Sequence, residues 1–281
     1  MILTRKTKTA WTIGLSLAFA ATLVGMGMVV SRSRMDVSHS AFSIGTGSVT
    51  LSGSTVEKRV TQSFTVGPGH TLALTVPLGK VTVLPSTGSQ VQVDADLSVA
   101  RAAGQSVSNL KSQMGLDFGS GVNTDNVSLR YPNGRLRAAT VTMYVPKGTD
   151  LRIDNSLGQI EVDGGTFPSL TLHDNMGSIN VNANVTKSLM LHSNMGAISF
   201  TGSLAVNSTA VNNMGSIAIH DTAAQAIAYR LSTNLGQASV DIPSSNIAEN
   251  GNSLSGSAPG SGSPVNLSCT NNMGSIHLQG E

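Results

Sequence analysis

The pentapeptide Asn175-Met176-Gly177-Ser178-Ile179 decides the fold, because close copies of it return along the C-terminal half of the chain. Three strong copies are centred on Gly196, Gly215 and Gly274, and weaker copies on Gly158 and Gly236. Gly158, Gly177, Gly196 and Gly215 are each 19 positions apart, Gly236 follows after 21 positions, and Gly274 after a further 38. A fixed period in this range predicts a solenoid.

Apolar residues flank each glycine at a spacing of two, as in Leu170 and Leu172 before Gly177 and Ile179 and Val181 after it. This spacing is the period of a strand with one buried face. We therefore predict an all-β protein, a single-stranded β-solenoid similar to a parallel β-helix, with coils of about 19 residues. A hairpin-built β-sandwich, which also has short alternating strands, is the alternative.

The N-terminus predicts one transmembrane helix, because residues 10–30 carry no charge and are long enough to span a bilayer. Basic residues before this segment favour an inside N-terminus. We expect a short cytoplasmic tail at 1–9, a signal-anchor helix at 10–30, and a polar tether at 31–46. The remaining C-terminal domain would then be extracytoplasmic on a single-pass membrane protein. A cleaved signal peptide is the alternative.

The domain beyond the tether divides into an irregular and a regular part. Residues 47–150 are expected to form irregular early β-coils, with a mobile loop at 99–125 and a hairpin within 127–145 around a Pro-Asn-Gly turn. Residues 151–281 are expected to form the regular β-solenoid. A flexible insertion at 243–264, rich in Ser and Gly, explains the doubled spacing before the last repeat.

The composition excludes several classes of function. Charged residues make up 11% of the chain and the formal net charge is +2, so nucleic acid is not an expected partner. The single cysteine, Cys269, excludes an intrachain disulfide and takes an inward leucine position, where we expect a buried thiol. Because phosphate-loop, nucleophile and paired-carboxylate motifs are absent from the sequence, we predict no catalytic residues, no cofactor and no enzymatic activity.

The repeated corner supplies the candidate site residues. Its glycines are Gly158, Gly177, Gly196, Gly215, Gly236 and Gly274. Its asparagines, expected to stack as a structural amide ladder, are Asn175, Asn194, Asn213, Asn234 and Asn272. An amide strip that binds a ligand is the alternative. The methionines next to them are Met176, Met195, Met214 and Met273. Pointing inward they would fill the core, and pointing outward they would form a contact stripe for a partner.

Two histidines, His173 and His192, occupy equivalent positions in adjacent coils, with Asp174 nearby. Two imidazoles and a carboxylate could hold a metal ion, but a closed site usually has more ligands, and none recurs with the period. We therefore expect solvated surface histidines and no metal site.

These features together resemble the bacterial putative-adhesin β-strand-repeat family, a domain of unknown function related to autotransporter-adhesin-like head domains. The resemblance is carried by residues 64–69, 79–83 and 141–151 and by the Gly-x-Ile-x-Val copies, and it covers most of residues 43–281. It implies an exported, membrane-linked β-solenoid. The family pattern includes no catalytic residues.

We therefore predict a membrane-anchored structural or adhesion-like binding scaffold at the bacterial cell envelope. A protein or a cell-wall glycan is the expected kind of partner, and self-association is a further expectation, because solenoids offer extended repetitive faces. An envelope-stress sensor that works through a membrane partner is the alternative hypothesis.

Overall fold

A computed structural model describes residues 41–44, 47–50 and 54–280 of the chain. The expected tail at 1–9, the membrane helix at 10–30 and most of the tether lie outside these residues. Within the described part, no helix is both long enough and apolar enough to cross a bilayer. The chain divides into two units, 1–53 and 54–281. In the first unit, β1 (Ala41–Ile44) and β2 (Gly47–Thr50) form an antiparallel pair.

The second unit begins with seven strands and one short helix. They are β3 (Ser54–Phe64), β4 (Thr71–Val76), β5 (Gly79–Ser86), β6 (Val91–Arg101), α1 (Val107–Ser112), β7 (Gly115–Ser120), β8 (Thr124–Arg130) and β9 (Leu136–Pro146). β6 pairs antiparallel with both β3 and β9, and β9 pairs parallel with β5. The expected hairpin within 127–145 is wrong, because β8 pairs with β4 and β7 whereas β9 pairs with β5 and β6.

The segment 99–125 is ordered secondary structure, which differs from the mobile loop expected from its composition. It contains the end of β6, α1 and β7. Leu110 and Met114 are buried and attach this segment to the core. Lys58 Nζ donates to the carbonyl oxygens of Lys111 and Met114, at 2.9 and 2.6 Å, and so caps the C-terminal end of α1. Two buried apolar side chains and one lysine therefore hold in place a segment whose composition is typical of a loop.

The regular part consists of six further strands. They are β10 (Asp150–Gly202), β11 (Asn207–Asp221), β12 (Gln225–Asp241), β13 (Ser245–Asn250), β14 (Ser253–Ala258) and β15 (Ser261–Gly280). β10 runs through several turns of the coil and pairs parallel with β11 at a shift of 19 residues, as in Ile198 with Ile217. The all-β class and the solenoid-like stacking are thus confirmed. A parallel register between equivalent residues rules out the hairpin-built sandwich for this part.

The order of the layers in space differs from their order in the chain. Gly158 lies over Gly79, which is 79 positions earlier in the chain, because β5 pairs with β10. At the other end, β15 lies between β11 and β12, so that Gly274 pairs with both Gly215 and Gly236. The last repeat therefore fills a slot inside the stack.

The expected flexible insertion at 243–264 forms strands. β14 pairs antiparallel with the free edge of β12, and β13 pairs with β14. The physical reason is that the terminal coil would otherwise leave unpaired backbone groups at its edge. Ala258 is buried there, whereas every residue of β13 is exposed.

The core is a narrow column of aliphatic side chains inside the coils. Leu172, Leu191 and Leu231 are 0% exposed, and Cys269 is also 0% exposed at the equivalent position. Burial raises the pKa of the Cys269 thiol to about 12, so it is an unreactive core residue, as its position predicted.

Candidate functional site: the repeated corner

The glycines of the corner stack so closely that no side chain fits between the layers. A Cβ built on Gly158, Gly177, Gly196, Gly215 or Gly274 would overlap the carbonyl oxygen of the glycine in the adjacent layer. The same holds for Gly236 against Gly274. All but Gly236 have a positive φ, between 130° and 151°. Glycine is therefore required at the corner both for its conformation and for the approach of the backbones.

A column of buried polar residues lies three positions before these glycines. Its members are Asn155, Asp174, Ser193, Asn212, Asn271 and Thr233, each at most 3% exposed. Asn212 Nδ2 donates to the Gly196 carbonyl oxygen at 2.9 Å, and Asn271 Nδ2 donates to that of Gly215 at 2.8 Å. These amides satisfy backbone carbonyls at the turn and tie one layer to the next.

The alternation in the repeats contains a signal for this column, beyond the apolar pairs that predict the strands. In each coil the inward positions run at a period of two, from Leu170 to Leu172 and then to Asp174. Carried two residues beyond the apolar pair, the alternation places a polar side chain inside. The alternation does not continue two residues further, because Met176 is 42% exposed.

Asp174 is the only acidic member of the buried column. It is 0% exposed, and neither carboxylate oxygen makes a well-formed hydrogen bond with a described residue. Burial raises the pKa of Asp174 to about 7, and the neighbouring Met176 N–H and Asn155 side chain offset part of this rise. The corner therefore holds one carboxyl group that titrates near neutral pH.

The outer asparagines form a continuous chain of hydrogen bonds along the corner. Asn194 Nδ2 donates to Asn175 Oδ1 at 3.0 Å, and Asn213 donates to Asn194 at 3.3 Å. Asn272 donates to Asn213 at 2.9 Å, and Asn234 donates to Asn272 at 2.7 Å. The structure thus brings all five residues together, in the order of the layers. Each amide keeps further hydrogen-bonding capacity toward solvent.

The methionines lie beside this ladder on the outer surface of the corner. Equivalent leucines extend them into a continuous apolar file, which consists of Leu78, Leu157, Met176, Met195, Met214, Met273 and Leu235. Leu157, Met176 and Leu235 are 41%, 42% and 59% exposed. The other four are half-buried. At roughly 4.8 Å per layer, the apolar file is about 29 Å long.

The two histidines stack on the outer surface near the start of the regular coils. Their rings are 4.8 Å apart in an edge-to-face arrangement. His173 Nδ1 lies 3.6 Å from Asp154 Oδ1, whereas Asp174 is buried on the opposite side of the strand. Burial, and then the charge of His173, lower the pKa of His192. Across the described residues, no group of three or more His, Cys, Asp or Glu side chains is arranged to hold a metal ion.

A second constellation, Ser120, Asp125 and His70, contains the residue types of a nucleophilic triad but not its connections. Ser120 Oγ donates to Asp125 at 2.6 Å, and the Gly67 N–H donates to the same carboxylate at 2.8 Å. His70 Nδ1 is 3.3 Å from Asp125. A triad needs the histidine between the serine and the aspartate. Here the aspartate is in the middle, and these bonds, the one from Ser120 first, lower its pKa, as suits a structural anion.

The carboxylates of the solenoid also make structural contacts. Asp150 accepts a hydrogen bond from the Ser169 N–H at 2.9 Å, and Asp221 accepts one from the Gln225 N–H at 3.2 Å. Polysaccharide hydrolysis needs two carboxylates facing one bond. Asp150 and Asp221 instead accept hydrogen bonds from backbone N–H groups of neighbouring segments.

The comparison with solved structures finds similar folds in bacterial proteins. One is a putative cell adhesion protein from Clostridium sporogenes ATCC 15579, with 10% identity, 80% of this chain and 100% of that chain covered, and a TM-score of 0.42. Another is a putative adhesin from Bacteroides fragilis NCTC 9343, with 14% identity, 79% and 97% covered, and a TM-score of 0.31. A third is a putative adhesin from Parabacteroides distasonis ATCC 8503, with 8% identity, 79% and 97% covered, and a TM-score of 0.29.

No curated protein matches the chain at a significant level. A family match, in contrast, runs over residues 71–279 and confirms the resemblance drawn from the sequence motifs. Because it spans most of the chain, this protein belongs to the Toastrack DUF4097 family.

Proposed function

We propose that this protein is a non-catalytic, adhesion-like binding scaffold that holds a protein partner along the apolar file. The observation that carries the proposal is the outer row of apolar side chains, three exposed and four half-buried, one in each of seven consecutive layers. A contiguous apolar surface on an otherwise polar exterior is a common mark of an interaction site. Methionine suits such a site because its flexible thioether adapts to different partner shapes.

The rigidity of the corner supports the same function. The stacked glycines fix the distance between layers, and the buried amides and the outer asparagine ladder bond the layers from Gly177 to Gly236 to one another. A partner would therefore meet a preorganised row of side chains and would not have to order it, which lowers the entropic cost of binding.

The size of the apolar file indicates what kind of partner it fits. A strip about 29 Å long and one side chain wide covers roughly 300 Å², well below the ~800 Å² that each partner buries in a stable standard interface. The file is thus too narrow for a permanent homodimer by itself. It suits an extended segment of another protein, with the amides of the asparagine ladder as neighbouring hydrogen-bonding groups.

The location belongs to the proposal as well. Residues 10–30 would anchor the chain in the membrane and leave the solenoid on the extracytoplasmic side.

The test is site-specific photo-crosslinking of the full-length protein in intact cells. A photoreactive amino acid at Met195, inside the file, is expected to trap a distinct protein partner. The matched control is Met190, which is 50% exposed but belongs to a different face of the same strand. Replacing Met176, Met214 and Met273 with Gln should reduce trapping at position 195 at least tenfold. Equal trapping at 190 and 195, adducts with a second copy alone, or no adduct would contradict the proposal.

A further inference from the structure

An open cleft lies at one margin of the sheet, far along the strands from the repeated corner. Its volume is about 610 Å³, within the range of about 300–1,000 Å³ that ligand-binding clefts occupy. It forms where β3 and β5 end, where β6 begins, and where β9 ends. Side chains from four strands and the β5–β6 turn therefore converge on one place.

The residues that line the cleft are all uncharged. They supply hydroxyl groups, amides and one proline ring, chiefly from Ser63, Ser86, Tyr144, Gln90, Gln92 and Pro85. A site for phosphate would require arginine, lysine or a helix N-terminus, and a site for a cation would require carboxylates. The lining therefore favours a ligand that is neutral and rich in hydrogen-bonding groups.

Two of the polar groups are held in place with capacity left for a ligand. Gln92 Nε2 donates to both carboxylate oxygens of Asp94, at 3.2 and 3.3 Å, which fixes the amide and leaves its Oε1 as an acceptor. Ser86 Oγ accepts the Gly88 N–H at 3.1 Å, which leaves the serine hydroxyl proton to donate. The cleft thus offers a preorganised acceptor and a preorganised donor.

The strand register places an aromatic ring beside these groups. Gln92 pairs with Tyr144 on one side and with Ser63 on the other, so the three side chains form a row across β9, β6 and β3. Tyr144 is half-buried on the outer face of the sheet. Its ring offers a flat apolar surface and its hydroxyl a polar tip.

We propose that this cleft binds a neutral oligosaccharide. A sugar ring carries hydroxyls that both donate and accept, and it has one face of C–H groups that can pack on Tyr144. Gln92 Oε1 and the Ser86 hydroxyl then exchange hydrogen bonds with adjacent sugar hydroxyls. This ligand and this site are separate from the apolar file and its protein partner.

An extended peptide added to the free edge of β3 is the competing occupant, because β3 pairs only with β6 in the described sheet. The middle of β3 carries Glu57, Lys58 and Arg59 in succession. Charged residues on an edge strand disfavour the addition of another strand. The uncharged cleft beside the end of β3 is therefore the better binding site, and its chemistry is that of a sugar site.

The test is titration of the full-length protein, purified in mild detergent, with neutral tetrasaccharides: chitotetraose, cellotetraose and maltotetraose. Tetragalacturonate serves as a charged counterpart. At least one neutral sugar should bind, and Tyr144→Ala and Gln92→Ala should each weaken that binding at least tenfold. Tyr144→Phe, which keeps the ring, should weaken it less than threefold. Thr142→Ala, one outward position away on β9, is the matched control and should bind as the unmodified protein does.

Three outcomes would overturn the proposal. They are no binding of any neutral tetrasaccharide at 10 mM or below, binding that both Tyr144→Ala and Gln92→Ala leave unchanged, and stronger binding of tetragalacturonate than of every neutral sugar. Circular dichroism of each variant separates a lost contact from a lost fold, and Tyr144→Phe keeps the test valid if Tyr144→Ala is unstable. Because none of these residues belongs to the apolar file, failure here leaves the crosslinking result unaffected.

Discussion

Replacing Asp174 with asparagine is expected to stabilise the protein at alkaline pH and to have little effect below the ordinary aspartate pKa of 3.8. Asparagine already occupies the equivalent buried position in three other layers, at Asn155, Asn212 and Asn271. The amide of Asn212 donates to the glycine carbonyl of the adjacent layer. A protonated Asp174 also has a donor, whereas an ionised Asp174 is a buried anion that lacks a well-formed hydrogen bond to any described residue.

The size of the effect follows from the pKa of the carboxyl group. Burial raises the pKa of Asp174 from 3.8 to about 7. A difference of about three units at about 1.36 kcal/mol per unit sets an upper bound of about 4 kcal/mol, and we expect about 2–4 kcal/mol. Between pH 4 and pH 7 the folded state binds more protons at Asp174 than the unfolded state does. The contribution of this residue to the free energy of unfolding therefore falls as pH rises through that window, and it is fully lost above pH 7.

The assay is urea unfolding followed by far-ultraviolet circular dichroism at pH 5 and pH 8. Asp174→Asn should exceed the unmodified protein by at most about 1.6 kcal/mol at pH 5, which is about 1.2 units above the unfolded pKa of 3.8, and by about 2–4 kcal/mol at pH 8. Asp163→Asn is the matched control, because Asp163 is exposed in the neighbouring coil. The reasoning would be refuted if Asp174→Asn and the unmodified protein changed in parallel between the two pH values.

Two further predictions concern the corner and the core. Gly196→Ala should destabilise the protein by more than about 4 kcal/mol or prevent folding, because the added methyl overlaps the Gly177 carbonyl and φ is 144°. The control is Gly119→Ala, which has no neighbouring atom within 4 Å of the new Cβ and no positive φ, and it should change the free energy of unfolding by under about 1 kcal/mol. Equal losses in the two variants would contradict the steric argument. Burial raises the pKa of the Cys269 thiol from 9.0 to about 12. The thiol should therefore react with a maleimide at least about 1,000-fold more slowly in native protein than in urea. Fast labelling of the native protein would contradict its burial.

Much of the regular solenoid could be predicted because a repeat of constant length leaves few ways to bury its apolar side. Ile198 and Ile217 are 19 residues apart and pair in adjacent layers. The asparagine column followed from the same period, since equivalent residues in a stacked coil lie above one another. The early part was harder, because residues 99–125 have no period and their order depends on Leu110, Met114 and the distant Lys58.

The orientation of the methionines could not be obtained from the pattern. Alternation holds from Leu170 through Asp174 and then breaks at the corner, where Asn175 and Met176 are both exposed. Met176 is thereby directed outward, next to an exposed asparagine. Sequence periodicity assumes a regular strand, and a corner is where that assumption fails.

The sequence by itself determined the kind of coil, its length, and which residues share a column, because these depend only on the period. The tertiary structure alone decided the order of the layers and the closure of the stack. The repeats around Gly236 and Gly274 are equally able to follow Gly215, and β15 takes that place while β14 covers the outer edge of β12. That choice depends on which strand edges the chain can pair, which is a property of the whole assembly of strands and of no single repeat.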